Sequence, residues 1–541
     1  MPGDFTEEEQ TPANTIHRAA IELSERGLHI ASRWASELLL AIPSLDQLEH
    51  TPLHHTAHET ALQDRVSYFL AKRYFDCKEF KECARVLEHC AGGKARWLQF
   101  YVKYLDLNSR AQTHTTPRDS LDLLRQLEAG SDPFLLYMRG LLQSELGQRI
   151  EAMSSLVQSV NIFPYNWSVW LKLTDLLDGE EELLAVLSEL PKSFMTKFFH
   201  INSTLEVHRA HEDLRTSIDE LFEQFPGAVH LRSQRALLEY HMRVNIIADF
   251  DLAEKLFDDI AEDHPNRLDD IDTYSNILYV MGKKVKLSQV AHKYTQIDRN
   301  RPETCCLIGN FFSLRGEHAK AIALFRRAVK LDPHYLAAWT LMGHEYVEMS
   351  NTHAAIEAYR RACAANNKDY RAWYGLGQAY ELLNMYAYAL RYFQKATALR
   401  PFDSRMWQAL GQCYSRVSKP HEVLKCYKRA QLFAEPDDIT TLRRLGDHCL
   451  SMQLYTEAAL YWTRLLESAQ AHNLPENDYM QVYNLLAAFE MGDHHVTNGK
   501  RRVVGNLVLA EVYLNKVLAS NGDEVDYAKR LYRTLRDLQV S

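Results

Sequence analysis

Three groups of residues in this chain have side chains and spacings that chemistry can use. His54, His55 and His58 form the densest run of imidazoles, yet no cysteine or carboxylate stands at ligand spacing beside them, so they read as a solvated tract rather than a zinc site. Cys305 and Cys306 are adjacent thiols. Neighbours in sequence rarely bridge each other, so one is expected in the core and one on a groove. The third group carries more information. Asn310, His344, Gln378 and Gln412 each follow a glycine and recur every 34 residues. Glu345 and Glu381, with Tyr374 and Arg371, neighbour the same line of positions. Amide, imidazole, carboxylate and aromatic groups along one channel can hold an extended basic peptide by hydrogen bonds and charge pairing. Any one of them alone would be an ordinary surface residue; their repetition at one register is what marks them.

No segment has the spacing of a phosphate-cradling glycine loop, a GxSxG elbow or an HExxH helix. The expectation is no catalytic residue, no cofactor and no metal site.

The elements that must carry these side chains follow from the same period. Counting from Gly309, Gly343, Gly377 and Gly411, the residue four before is Cys305, Trp339, Trp373 and Trp407, and the residue three after is Phe312, Tyr346, Tyr380 and Tyr414. Twelve after the glycine stand Ala321, Ala355, Ala389 and Val423; sixteen after stand Phe325, Tyr359, Phe393 and Tyr427. Spacings of three and four place these residues on one face of each of two helices, and Pro333 and Pro401 stop the second helix. This is the tetratricopeptide pattern. A mid-helix glycine costs about 1 kcal/mol against alanine, so its recurrence predicts close helix approach, with Gly377 against Ala389 and with Phe393 and Ala396 facing the next unit. No unit can bury its own apolar face, so the units must stack. The fold class is all-α: a tetratricopeptide-repeat superhelical solenoid of antiparallel helix pairs.

Along the chain, Ile16–Ile42 reads as an amphipathic helix pair broken at Glu25–Gly27, and His50–His58 as a loop. Ser67–Cys90 is a degenerate unit, and a polar stretch, Asn108–Ser120, interrupts. Gly140, Ala152, Leu156 and Pro164 recover the register; Leu237–Pro265 holds another unit, and Asp272–Arg301 a weaker one. The clearest units run from Gly309 to Pro436, and Gly446, Ala458 and Trp462 add one more. Dividing the span from Ser67 to Leu507 by the period predicts about 13 units. The expected organisation is an N-terminal helical segment (1–60), an N-terminal array of degenerate repeats (61–265), a C-terminal array with the peptide groove (266–475) and C-terminal helices (476–541), with Tyr527–Leu538 as a polar cap.

The bulk numbers exclude several classes. With 46% hydrophobic and 25% charged residues the chain is an ordinary packed one rather than a disordered one. A net charge of -9 argues against nucleic acid or an anionic membrane as partner. Nine cysteines without a CxxC pair read as reduced core thiols. No signal-like segment opens the chain and no run of about 18 apolar residues occurs, so an intracellular soluble protein is expected. Thr11–Pro12, Thr51–Pro52 and Thr116–Pro117 have the form a proline-directed kinase accepts.

Beyond the repeat consensus, "DTYSNILYV" (Asp272–Val280), "ETCCLIGNFFSLRGEHAKAIALFRRAVKLDP" (Glu303–Pro333) and "AWTLMGHEYVEMSNTHAAIEAYRRA" (Ala338–Ala362) resemble the family of the eighth subunit of the anaphase-promoting complex. "KDYRAWYGLGQAYE" (Lys368–Glu381) and "ERGLHIASRWASELL" (Glu25–Leu39) resemble it too. The resemblance implies a non-catalytic scaffold of a multisubunit ubiquitin ligase, homodimeric through its N-terminal repeats and stacked with other subunits of the complex, in nucleus and cytoplasm. It also implies that the C-terminal groove receives the arginine-containing C-box of a coactivator, with Asn310 and Glu345 at the family's contact places. On that reading Glu345→Lys weakens coactivator binding without unfolding the stack.

Three rivals are weaker. A chaperone-associated adaptor that clamps a peptide carboxylate needs inner-face lysines, and Cys306, Thr340 and Tyr374 stand where one is expected. An RNA-reading array needs a basic stripe, and an enzyme with a repeat arm needs a catalytic domain.

Overall fold

The computed structural model describes residues 12–43, 62–90, 92–110, 117–127, 130–206, 212–241, 250–333, 335–434, 438–471, 479–492, 506–519 and 524–540. Among them are 29 α-helices and no strand. They form two compact units: 1–241 with 251–265, and 242–250 with 266–541. No described helix is long and apolar enough to cross a membrane.

The second unit contains the regular array. Its pairs include Pro302–Leu314 with His318–Leu331, Leu336–Glu348 with Thr352–Ala365, Tyr370–Leu382 with Tyr386–Leu399, and Ser404–Arg416 with Pro420–Leu432. The first helix of a pair is called A and the second B. Each B helix packs on the A helix of the next pair, and A helices also meet one another.

Local chemistry fixes the ends. Asp369 and Asp403 accept the N–H of Arg371 and Arg405, each at 3.0 Å, capping two A helices. Seven residues past each register glycine the backbone turns left-handed, at Gly316, Ser350, Asn384 and Ser418. The following N–H, of Glu317, Asn351, Met385 and Lys419, then reaches back to the carbonyl of Phe312, Tyr346, Tyr380 and Tyr414. That closes the A helix with its last carbonyls satisfied.

The register glycine has a different neighbour from the one the spacing predicts. A Cβ on Gly377 would lie 2.6 Å from the Phe393 ring, which is its nearest neighbour ahead of Ala389, and Gly309, Gly343 and Gly411 stand in the same relation to Phe325, Tyr359 and Tyr427. The missing methyl makes a slot for an aromatic ring of the same unit. Phe393 therefore faces its own A helix first. Tyr359 does both: a Cβ at Gly343 or at Gly375 of the following unit would each come within 2.5 Å of its ring. Trp339, Trp373 and Trp407 donate their indole N–H to the carbonyls of Pro333, Asn367 and Pro401, tying each A helix to the turn before it. Cys305 and Cys306 are both buried, against the expectation that one would face a groove. They pack with Phe325 and Ala338. Beyond residue 475 the apolar core continues through Met480–Glu490, Leu507–Leu518 and Val525–Val540, where Ala528, Leu531 and Leu535 are buried.

In the first unit, six pairs follow the hairpin Pro12–Glu25 and His29–Leu40. Their A helices are Leu62–Asp76, Gly93–Arg110, Pro133–Glu145, Trp167–Leu176, Phe194–Glu206 and Val229–His241. Three pairs, those starting at Gly93, Trp167 and Phe194, correspond to no unit that the spacing marked. The polar stretch expected at 108–120 is helical at 108–110 and from Pro117. His54, His55, His58, Thr11, Thr51, Pro52 and Thr116 lie outside the described residues.

Candidate peptide-binding groove

The A helices from Pro302 to Arg416 stand side by side, so equivalent positions on successive helices share one face. Asn310, at its N-terminal end, is only 2% exposed. Its Nδ2 donates to Ser275 Oγ at 2.9 Å and to Asn276 Oδ1 at 2.8 Å, both on the preceding A helix, Ile271–Val280. Glu345 is 5% exposed. It accepts from Ser313 Oγ at 2.6 Å, and its second oxygen lies 2.8 Å from His318 Nδ1. Both side chains thus bridge neighbouring helices. A lysine at 345 would bury an unpaired cation, so Glu345→Lys disturbs packing as well as charge. The expectation that it spares the stack is set aside on that ground.

His344 is half-buried, with Nδ1 2.8 Å from the Tyr359 hydroxyl. Burial first, and then the nearby Arg371 charge, pull its pKa down to about 4. The ring is neutral at pH 7, and its Nδ1 accepts the hydroxyl proton of Tyr359, whose own pKa burial raises.

The four candidates on the next A helix, Arg371, Tyr374, Gln378 and Glu381, are all half-buried and share its groove side. Arg371 Nε lies 3.7 Å from Asp369, the residue that caps the helix. The Tyr374 ring sits 5.5 Å from that of Phe393. Burial raises the Glu381 pKa, partly offset by the Arg416 charge. Gln412, one unit on, is exposed. Of the three places a carboxylate clamp needs, Cys306 and Thr340 are buried and closed to a ligand, and the third carries the half-buried Tyr374.

The spacing missed the groups that hold this face in place: Ser275, Asn276, Ser313, His318 and Asp369. It also missed Arg405, which grips Asp403 through two bonds of 3.1 and 2.9 Å, and Gln408, whose Nε2 reaches Asp438 at 2.8 Å and Thr441 at 2.6 Å. The aspartate two residues before the arginine in "KDYR" and "FDSR" was the available signal. What the arrangement offers is a row of amide, phenol, guanidinium and carboxylate groups over a rigid polar floor, suited to binding an extended chain.

Stacked pairs of this kind, with this face, define a tetratricopeptide-repeat protein; profiles described as tetratricopeptide repeat match residues 302–335 and 340–404. The profile described as anaphase promoting complex subunit 8 / Cdc23 matches residues 12–120 and 119–236. Anaphase-promoting complex subunit 8 of Arabidopsis thaliana is 38% identical over 97% of this chain and 96% of its own length. The subunit CDC23 of Saccharomyces cerevisiae is 30% identical over 60% of this chain and 67% of its own. The crystal structure of the APC/C hetero-tetramer Cut9-Hcn1 has a chain that matches the fold with a TM-score of 0.53 at 16% identity, covering 97% of this chain and 96% of that one. The chain belongs to the anaphase-promoting complex subunit 8 / Cdc23 family.

Proposed function

We propose that this chain is a non-catalytic scaffold subunit of the anaphase-promoting complex, a multisubunit ubiquitin ligase, in nucleus and cytoplasm. It pairs with a second copy through its N-terminal array, stacks with other subunits of the complex, and takes the C-box of a coactivator in its C-terminal groove. The observation that carries the groove assignment is the shared placement of Arg371, Tyr374, Gln378 and Glu381 on one accessible helix side. On the two preceding A helices, Asn310 and Glu345 are held by hydrogen bonds to neighbouring helices. An arginine of the incoming segment pairs with Glu381, and its backbone bonds to Gln378. Purification of the tagged full chain from dividing cells, followed by identification of copurifying proteins, tests the assignment. Recovery of ubiquitin-ligase subunits supports it; recovery of a chaperone alone favours the adaptor reading and contradicts it.

A further inference from the structure

We propose that the outer side of the pair Tyr370–Leu382 and Tyr386–Leu399 is a docking site for a short acidic protein segment that presents an aromatic side chain. Trp373 and Tyr380 each stand two positions after Arg371 and Gln378, about 200° further round the helix, so they point away from the groove. Four rings stack there in series. Trp373 lies on Tyr392 at 6.0 Å, Tyr392 on Tyr380 at 5.2 Å, and Tyr380 on Tyr388 at 5.7 Å, with planes within 22° of parallel. Closure of the pair does not require the last rings. At the places of Tyr388 and Tyr392 the other regular units carry Lys320 and Leu324, Ala354 and Ala358, and Glu422 and Cys426, and each still forms its two helices.

The series ends in solvent. Tyr388 is 52% exposed, and Met385, whose carbonyl accepts its N–H at 3.1 Å, is 41% exposed. Exposed tyrosine and methionine beside arginine have the composition of an interface centre, and an incoming ring laid on Tyr388 continues the stack. The rim is positive. Arg360, from the preceding unit, donates to the Tyr380 hydroxyl at 2.6 Å, and Lys395 Nζ lies 5.0 Å from the centre of the Trp373 ring. Arg360, Arg391 and Lys395 are exposed, and among the described residues none of the three pairs with a carboxylate, whereas the adjacent Arg361 holds Glu357 at 2.9 Å. The helix Tyr386–Leu399 contains no acidic residue, in a chain of net charge -9. Carboxylates brought by a partner complement such a rim. A nucleic-acid backbone is held by a longer track of cations than these three.

Two short fluorescein-labelled peptides of Asp and Glu, one with a single central Phe and the other with Ala in its place, are titrated into the full chain. The Phe peptide is expected to bind, and the Ala peptide to bind about tenfold more weakly or less. Tyr388→Ala and Lys395→Glu should each weaken the Phe peptide by about tenfold or more, while Gln378→Ala, in the groove, leaves it unchanged. Lys395→Glu alters no ring and decides the matter alone if Tyr388→Ala melts below the parent. No binding by the parent, equal binding of the two peptides, full binding by Lys395→Glu, or a loss caused by Gln378→Ala overturns the proposal. Displacement of the Phe peptide by an oligouridylate also overturns it, because the surface would then be a nucleic-acid site.

Discussion

The two arrays use one building block in opposite ways. In the C-terminal array, A helices begin at Pro302, Leu336, Tyr370 and Ser404, in equal steps; the glycine slot recurs at each, and the indole joint at the last three, Cys305 standing at its place in the first. A ring fits the glycine slot, an indole holds the preceding turn, and a cation covers that indole: Arg361 over Trp339, Lys395 over Trp373 and Arg429 over Trp407. Arg326 and Arg360 then donate to the Tyr346 and Tyr380 hydroxyls of the following unit. In the N-terminal array the steps are uneven, and aromatic rings, among them the Trp34–Trp167 stack, take the place of the repeated joints. Regular joints keep a polar face in register from one unit to the next. Irregular units are each shaped to their own neighbours.

Four substitutions test that contrast, beginning with the largest effect. Trp34→Ala empties an aromatic box and is expected to cost about 3–5 kcal/mol, read as a lower denaturant midpoint. Loss of protection should be confined to the first unit; equal loss among the regular units would break the distinction.

His344 supplies a pH test on the other side. Its folded pKa of about 4 lies below the ordinary 6.5, so the fold favours the neutral ring. That contribution is fully present above pH 6.5 and is lost progressively as pH falls from 6.5 to 4, by up to about 3 kcal/mol. His344→Gln should flatten the fall in denaturation midpoint over this window, and parallel curves for variant and parent would count against the buried imidazole.

Gly377→Ala forces a methyl into the Phe393 ring. Overpacking of about 1–3 kcal/mol, less about 1 kcal/mol of helix propensity, leaves a net loss of about 0–2 kcal/mol. A stabilised variant would mean the slot is not filled as described. Gln412→Ala, on an exposed position, should change stability by less than about 0.5 kcal/mol, and a larger thermal shift would show that this residue is structural.

Much of the regular array was legible because repetition averages out local noise. Gly, Trp and Tyr at one register named both helices, and the pairs between Leu62 and Leu518 number 13, as the period predicts. The N-terminal array was harder to read. Of the helices starting at Leu62, Gly93, Pro133, Trp167, Phe194 and Val229, only Pro133 and Trp167 stand one period apart, and large side chains such as Trp167 and Phe198 replace the small-residue signature. The hairpin Pro12–Leu40 was visible as a helix pair, but its place against later helices depends on contacts more than a hundred residues away, such as Trp34 with Trp167. Within the groove, repetition located the face and could not say which polar residues bond inward. Asn310 and Glu345 look like Gln378 in the pattern, and only the facing Ser275, Asn276, Ser313 and His318 distinguish them.

The most direct test is a titration of a labelled, arginine-containing C-box peptide into the full chain, its Glu381→Lys variant and its Trp34→Phe variant. A charge-assisted hydrogen bond contributes about 1.5–3 kcal/mol, so Glu381→Lys is expected to weaken binding roughly 10- to 100-fold while Trp34→Phe leaves it unchanged. Equal affinity for the parent and Glu381→Lys, or a loss caused by Trp34→Phe instead, would contradict the assignment of peptide capture to the C-terminal groove.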